Sequence, residues 1–270
     1  MTSHFIKSKN KFLITLSVLT WNIWFADTDS NIRLKNLIDR ILLLQPDIIC
    51  LQEVRTEIIR NLITNLQSPY QYYCIILQGN KNPKNDFYGT SLVSKQNNIN
   101  YSNVIFSRFP LANKKLIEFP SSRMGRNIIM STFEINKNEF CILTSHLESE
   151  FKDFNPTKIL QFNQIINMIN SMKINNVIFC GDTNIISNDE KYITSYPLID
   201  AYNLSDKKVT YTYNYKTNDY INKKLQERLD RVIYKLNDEW KQIDYKVIDG
   251  NNISDHHGVL VTWNSLRSSR

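Results

Sequence analysis

"NNVIFCGDTN" (residues 175–184) changes character in a single step. Val177, Ile178, Phe179 and Cys180 form an unbroken apolar run, as a strand covered on both faces requires. Gly181, Asp182, Thr183 and Asn184 then turn it polar. Turn residues at a strand end are ordinary chain chemistry, so the stretch alone reads equally well as a capped turn. A carboxylate and a carboxamide two apart at the mouth of a buried strand mark a site only if other strands end the same way.

They do. "FLITLSVLTWN" (12–22) is a strand closed by Asn22, and "PDIICLQEV" (46–54) is a buried strand with Glu53 near its end. A carboxylate in the apolar company of Leu51 and Val54 has to be paired or metal-bound. "FCILTSHLES" (140–149) carries His146, Asp230 lies in "ERLDRV" (227–232), and Asp255 and His256 in "SDHHG" precede the last strand, "HGVLVTW" (257–263). Singly, each has a bland reading. His256 with His257 reads as a surface pair, and Asp230 between Arg228 and Arg231 as a charge cluster.

Helical segments separate some of these strands. Leu34, Leu37, Ile38, Ile41 and Leu44 in residues 29–45 recur at helical spacing, with Asp29 or Ser30 as cap and Pro46 as stop. Residues 155–172 open with Asn155 as cap and Pro156 in the first helical position, and align Ile159, Phe162, Ile166 and Ile169 on one face. Residues 72–79, 89–95, 101–110, 126–135 and 228–235 read as further strands, and 207–226 as a loop or irregular insertion. Strands alternating with helices and no Gly/Ser-rich linker predict an α/β domain of mixed sheets covered by helices. It spans residues 15–265, behind a short basic tail at 1–14.

The composition is ordinary for an enzyme: 270 residues, 42% hydrophobic and 22% charged. A net charge of +7 leans towards acidic partners such as nucleic acid, although the excess is Lys scattered among Asn and Ile. Cys50, Cys74, Cys141 and Cys180 form no Cys-x-x-Cys pair and have no His at zinc spacing, which suits a reducing compartment. Lys7, Lys9 and Lys11 before "FLITLSVLTW" superficially resemble a secretory leader, but Thr15, Ser17 and Thr20 interrupt the apolar run. No stretch reaches the roughly 20 apolar residues of a membrane span. The expectation is a monomer inside the cell, nuclear or cytoplasmic, neither secreted nor membrane-bound.

Collected, Asn22, Glu53, His146, Asp182, Asn184, Asp230, Asp255 and His256 are hard oxygen ligands plus imidazoles without thiolates. That inventory suits Mg²⁺, with Mn²⁺ as a substitute, rather than zinc. A Mg²⁺ with few protein carboxylates borrows phosphate oxygens, which points to phosphate-ester chemistry.

"TWN", "LQEV", "TSHLES", "GDTN", "RLDRV" and "SDHHG" stand in the order and spacing of the endonuclease/exonuclease/phosphatase superfamily, which includes DNase I and the apurinic endonucleases. The resemblance spans residues 16 to 264. Within it, "FSRFPLANKKLIEFPSSRMGRNIIM" followed by "TSHLES" resembles the 5′-tyrosyl-DNA phosphodiesterase branch. The resemblance implies a four-layer α/β sandwich, two packed mixed β-sheets flanked by helices, with the site where the strand-end loops meet. It implies Glu53 as ligand of the catalytic Mg²⁺ with Asn22 beside it, and Asp255 near the metal. Asp182 would orient or deprotonate the attacking water and Asn184 would hold a phosphate oxygen. His146 and His256 would stabilise transition-state charge, with Asp230 or Asp255 fixing the His256 tautomer. Tyr88, Arg123, Arg126, Ser149 and Tyr213 are the implied substrate contacts, for a nucleic acid bearing a 5′-linked tyrosyl adduct (DNA, with RNA as the alternative).

Three positions depart from the pattern. Trp24 stands where the family often has an acid, Glu150 and Phe151 precede the basic Lys152, and Ile186 replaces an Arg of the branch. A general Mg²⁺-dependent nuclease, of abasic-endonuclease or deadenylase type, therefore stays open. So does a catalytically silent nucleic-acid-binding protein.

Overall fold

The computed structural model describes residues 13–78, 89–94, 101–149, 156–193, 198–205 and 211–265. A seven-stranded sheet runs in the order β14 (Trp240–Ile248), β15 (Gly258–Ser265), β1 (Thr15–Asn22), β2 (Ile48–Arg55), β5 (Tyr101–Ser107), β3 (Tyr72–Gln78), β4 (Gly89–Ser94). A six-stranded sheet runs β10 (Ile199–Asp200), β13 (Asp230–Lys235), β9 (Asn176–Asp182), β8 (Asn138–His146), β7 (Asn127–Ile135), β6 (Ala112–Glu118). A two-stranded ladder pairs β11 (Tyr213–Asn214) with β12 (Gln226–Glu227). The α-helices among the described residues are α1 (Ser30–Leu44), α2 (Thr56–Leu66) and α3 (Pro156–Ser171).

The layering follows from strand periodicity. Successive strand side chains point to opposite faces, so Val18, Cys50 and Ile178 meet between the sheets while Leu19, Leu51 and Phe179 face outwards. The outer face of the larger sheet packs on Leu34, Leu37 and Ile41 of α1 and Ile59, Leu62 and Leu66 of α2. That of the smaller sheet packs on Ile159, Phe162 and Ile166 of α3. Both faces of the central strands are dry, which is why they read as unbroken apolar runs. The result is the expected four-layer sandwich.

Topology also explains why the polar strand ends converge. β1 and β2 are parallel, with Asn22 opposite Gln52, and β8 and β9 are parallel, with His146 opposite Asp182. β13 runs antiparallel to β9 and begins with Asp230 opposite Asp182. β15 is antiparallel to β1, so the residues just before it, Asp255 and His256, lie by the end of β1. Four strand ends and two strand starts thus share one edge.

Several elements differ from the sequence reading. α2, β6 and β14 have no counterpart in the sequence reading, and a short ladder pairs Tyr213–Asn214 with Gln226–Glu227 at the edge of the irregular stretch expected over 207–226. Asp29 does occupy the N-cap position of α1, but its side chain makes no capping bond and its backbone is left-handed. Asn155, the expected cap of α3, lies outside the described residues.

Candidate active site

Asp182, at the end of β9, is the hub. Its Oδ2 accepts a hydrogen bond from Asn22 Nδ2 at 2.9 Å, and lies 3.4 Å from His146 Nε2 and 3.8 Å from His256 Nε2. Its Oδ1 accepts from the Asn184 backbone N–H at 2.9 Å. Burial would raise this carboxyl, but the two imidazoles and the two donors outweigh it and hold Asp182 below the usual range.

The two histidines are set in opposite states. Arg126 Nη1 lies 2.9 Å from His146 Nδ1. A guanidinium only donates, so Nδ1 must accept and Nε2 carries the proton. Burial, reinforced by the Arg126 charge, holds His146 well below the ordinary imidazole value, so it is neutral. His256 Nδ1 donates to Asp230 Oδ2 at 2.8 Å. Burial pulls His256 down, but Asp230 and Asp182 outweigh it and hold the ring well above its ordinary value, as an imidazolium. Of the two acids expected to fix the His256 tautomer, Asp230 makes the contact. The flanking arginines pair elsewhere: Arg228 with Asp200, and Arg231 with Glu190. His257 is no surface residue either, being buried against Thr217 Oγ1 and the Gly250 N–H.

Glu53 sits at a register shift of β2 between Leu51 and Val54, with a left-handed φ of 59°. The irregularity takes it off the ladder and re-aims its side chain, a common use of such shifts beside sites. Its Oε1 accepts from Asn22 Nδ2 at 3.1 Å and its Oε2 from the Phe25 N–H at 2.9 Å. Burial, then the neighbouring Asp255 charge, pushes its pKa up to about 7. Asn22 accepts the Trp24 N–H on its Oδ1, so its amide nitrogen, not its oxygen, faces Glu53 and Asp182.

Two carboxylates this deeply buried call for a cation. One geometric group is explicit: ligand atoms of Asp182, Asp230 and His256 lie within 4.8 Å of one another, all buried, and could hold a metal ion. That group differs from the Glu53, Asn22 and Asp255 set that the resemblance implied, although Asp182 touches both through Asn22. One oxygen of Asp230, Oδ1, is buried without a hydrogen-bond partner.

The expected substrate residues fall into three groups. Arg126 is buried, bonded to His146 and, at 3.3 Å, to Ser149 Oγ, with its guanidinium 5.6 Å over the Tyr101 ring. Tyr213 is half-buried and meets the His256 ring edge-on at 5.1 Å, so it packs on the site. Arg123 is exposed, and Tyr88 lies outside the described residues. Asn184 is buried in a left-handed conformation, with its Nδ2 donating to Leu147 O at 3.0 Å.

Sequence reasoning missed Tyr101, which lies between Arg126 and Phe25, stacked on the latter at 4.9 Å. It also missed Glu148, whose Oε1 accepts from the Arg123 and Met124 N–H groups while Oε2 accepts from Ser122 Oγ and Gln161 Nε2. Glu148 thereby fixes the segment that delivers Arg126. No local signal separates either residue from an ordinary strand or loop position.

Two imidazoles converging on one buried carboxylate, at the rim of a four-layer sandwich, suit the chemistry of a phosphate-ester hydrolase. The chain belongs to the endonuclease/exonuclease/phosphatase family, whose profile matches residues 19–256. It is 29% identical over 264 residues to tyrosyl-DNA phosphodiesterase 2 of Xenopus tropicalis, covering 90% of this chain and 65% of that protein. It is 26% identical to the human protein of the same name. The chain therefore spans about two thirds of the length of these relatives. Its fold superposes on D. rerio TDP2 complexed with single-strand DNA product with a TM-score of 0.77 at 22% identity, over 93% of this chain and 99% of that one.

Proposed function

We propose that the protein is a divalent-metal-dependent phosphodiesterase that hydrolyses phosphotyrosyl bonds at the 5′ ends of DNA. The observation that carries the hydrolytic reading is the convergence of Asn22, His146 and His256 on Asp182. Asp182, an acceptor held ionised, orients the attacking water. His146 Nε2–H and His256 Nε2–H donate to the phosphate oxygens on which charge accumulates, one as a neutral dipole and one as a cation. Asp230 keeps His256 charged and in register. Asp182 belongs to the geometric group with Asp230 and His256, but an imidazolium cannot ligate, so the carboxylates of Glu53 and Asp182, with Asp255 close by, are the donors that would hold Mg²⁺. Once bound, the ion would supply Lewis-acid polarisation of a phosphoryl oxygen.

The tyrosyl preference is supported by leaving-group chemistry. A phenol, with a pKa of about 10, leaves phosphorus without the strong general acid that a sugar alkoxide requires. The DNA-bound relative and the shared name of the curated relatives point the same way. Comparing Mg²⁺-dependent cleavage of 5′-tyrosyl, abasic and poly(A) oligonucleotides tests the assignment, because a general nuclease would favour the latter two.

A further inference from the structure

Arg33 lies in the first turn of α1, only 4% exposed, and its guanidinium is spent on backbone carbonyls. Nε donates to Thr28 O at 2.8 Å. Nη1 donates to Ile23 O, Trp24 O and Ile253 O at 3.0, 3.1 and 3.2 Å. Nη2 donates to Trp24 O at 3.1 Å and to Ala26 O. The same guanidinium lies 4.6 Å from the Trp24 ring and 5.9 Å from that of Tyr220.

Those carbonyls belong to the two segments that flank the carboxylates. Residues 23–28 leave β1 just after Asn22. Gathering their carbonyls around one cation leaves the Phe25 N–H to meet Glu53 and the Trp24 N–H to meet Asn22 Oδ1. Trp24 is held with a left-handed φ of 58°, which a bulky residue keeps only when its surroundings impose it. The second segment is tied through Ile253. Next to it, Ser254 Oγ donates to Asn22 O at 2.6 Å and accepts the His256 N–H at 3.1 Å. Four donated or accepted bonds at Asn22, Glu53 and His256 thus depend on segments that Arg33 joins.

We propose that Arg33 is a positioning residue that sets the orientation of Asn22 and Glu53 and hence the affinity of the site for a divalent cation. It acts through the backbone and touches no substrate. A lysine can replace it only in part, since a single ammonium cannot span the fork of carbonyls. The proposal rests on the metal-dependent reading of the site.

The test is Mg²⁺ binding by calorimetry, alongside turnover of a 5′-tyrosyl oligonucleotide, in wild type, Arg33→Met, Arg33→Lys and Arg33→Ala, with folding followed by circular dichroism. The Met variant is expected to bind Mg²⁺ about 10–100-fold more weakly, the range for residues that orient ligands, with kcat falling and KM unchanged. Lys should recover part of the affinity. Arg33 lines a cavity of about 310 Å³ between the 23–28 segment, α1 and α2. Added guanidinium, at concentrations that leave wild type folded, should enter there and restore part of the activity of the Ala variant. A folded Met variant with wild-type Mg²⁺ affinity overturns the proposal, even if its turnover falls. If the Met variant does not fold, a folded Lys variant with undiminished affinity and kcat overturns it instead. Wild type that binds no Mg²⁺ overturns the metal-dependent reading, and this proposal with it.

Discussion

Asp230→Asn removes one charge from the buried pair that Asp230 forms with His256, Oδ2 to Nδ1 at 2.8 Å, and leaves the shape of the side chain nearly unchanged. Asp230 is fully buried, so solvent does not screen the loss. A hydrogen bond to a charged group contributes about 1.5–3 kcal/mol. At about 1.4 kcal/mol per tenfold in rate, the variant should lose about 10–150-fold in kcat. The direction of the pH response is also fixed. Burial lowers His256, and Asp230 with Asp182 holds it up, so the imidazolium form of the wild type persists through neutrality and is lost as pH rises through the raised value. Without Asp230 the burial effect gains weight, and the alkaline limb of the rate profile should move to lower pH. Initial rates on a nitrophenyl 5′-phosphodiester of thymidine, measured across pH, read both effects. A variant with wild-type kcat and an unmoved alkaline limb would refute the pairing as the source of the His256 charge.

Other substitutions probe the scaffold of the site. Glu148→Gln leaves one acceptor oxygen for four donors and sets its own amide N–H against them. It should cost about 1–3 kcal/mol in urea denaturation, as a buried network left partly unsatisfied does. Gly181→Ala would place a Cβ 2.0 Å from Ser145 O at a φ of +152°, so the variant should fail to accumulate as folded protein in expression trials. Phe162→Ala opens a hole under the smaller sheet, where the ring is fully buried, and should lower stability by about 3–5 kcal/mol by the same denaturation assay.

The architecture was legible wherever periodicity was strong. Leu34, Leu37 and Ile41 announced α1, and Ile159, Phe162 and Ile166 announced α3, because each packs a continuous stripe on a sheet. α2 leaves no boundary in the sequence because Thr56 follows Arg55 of β2 directly, with no turn residue to separate helix from strand. β6 and β14 are edge strands with polar outer faces, "ANKKLIE" and "WKQIDYKVI", so they lack the apolar run of a central strand. The site was legible as a set of strand ends, since topology gathers them at one edge. Its wiring was not. That Arg126 reads His146, that Asp230 rather than Asp255 reads His256, and that Arg33 and Glu148 are buried supports all depend on contacts across 20 or more positions or on loop conformation. Charged residues on a helix or loop look like solvated surface until burial is known.

The most direct test of the central claim is hydrolysis of a single-stranded DNA carrying a 5′-phosphotyrosine, with Mg²⁺ and with a chelator, by wild type and by Asp182→Asn. The account predicts release of tyrosine and a 5′-phosphate by wild type with Mg²⁺, none with chelator, and none by a folded Asp182→Asn variant. Undiminished release by that variant, or by wild type stripped of metal, would contradict it.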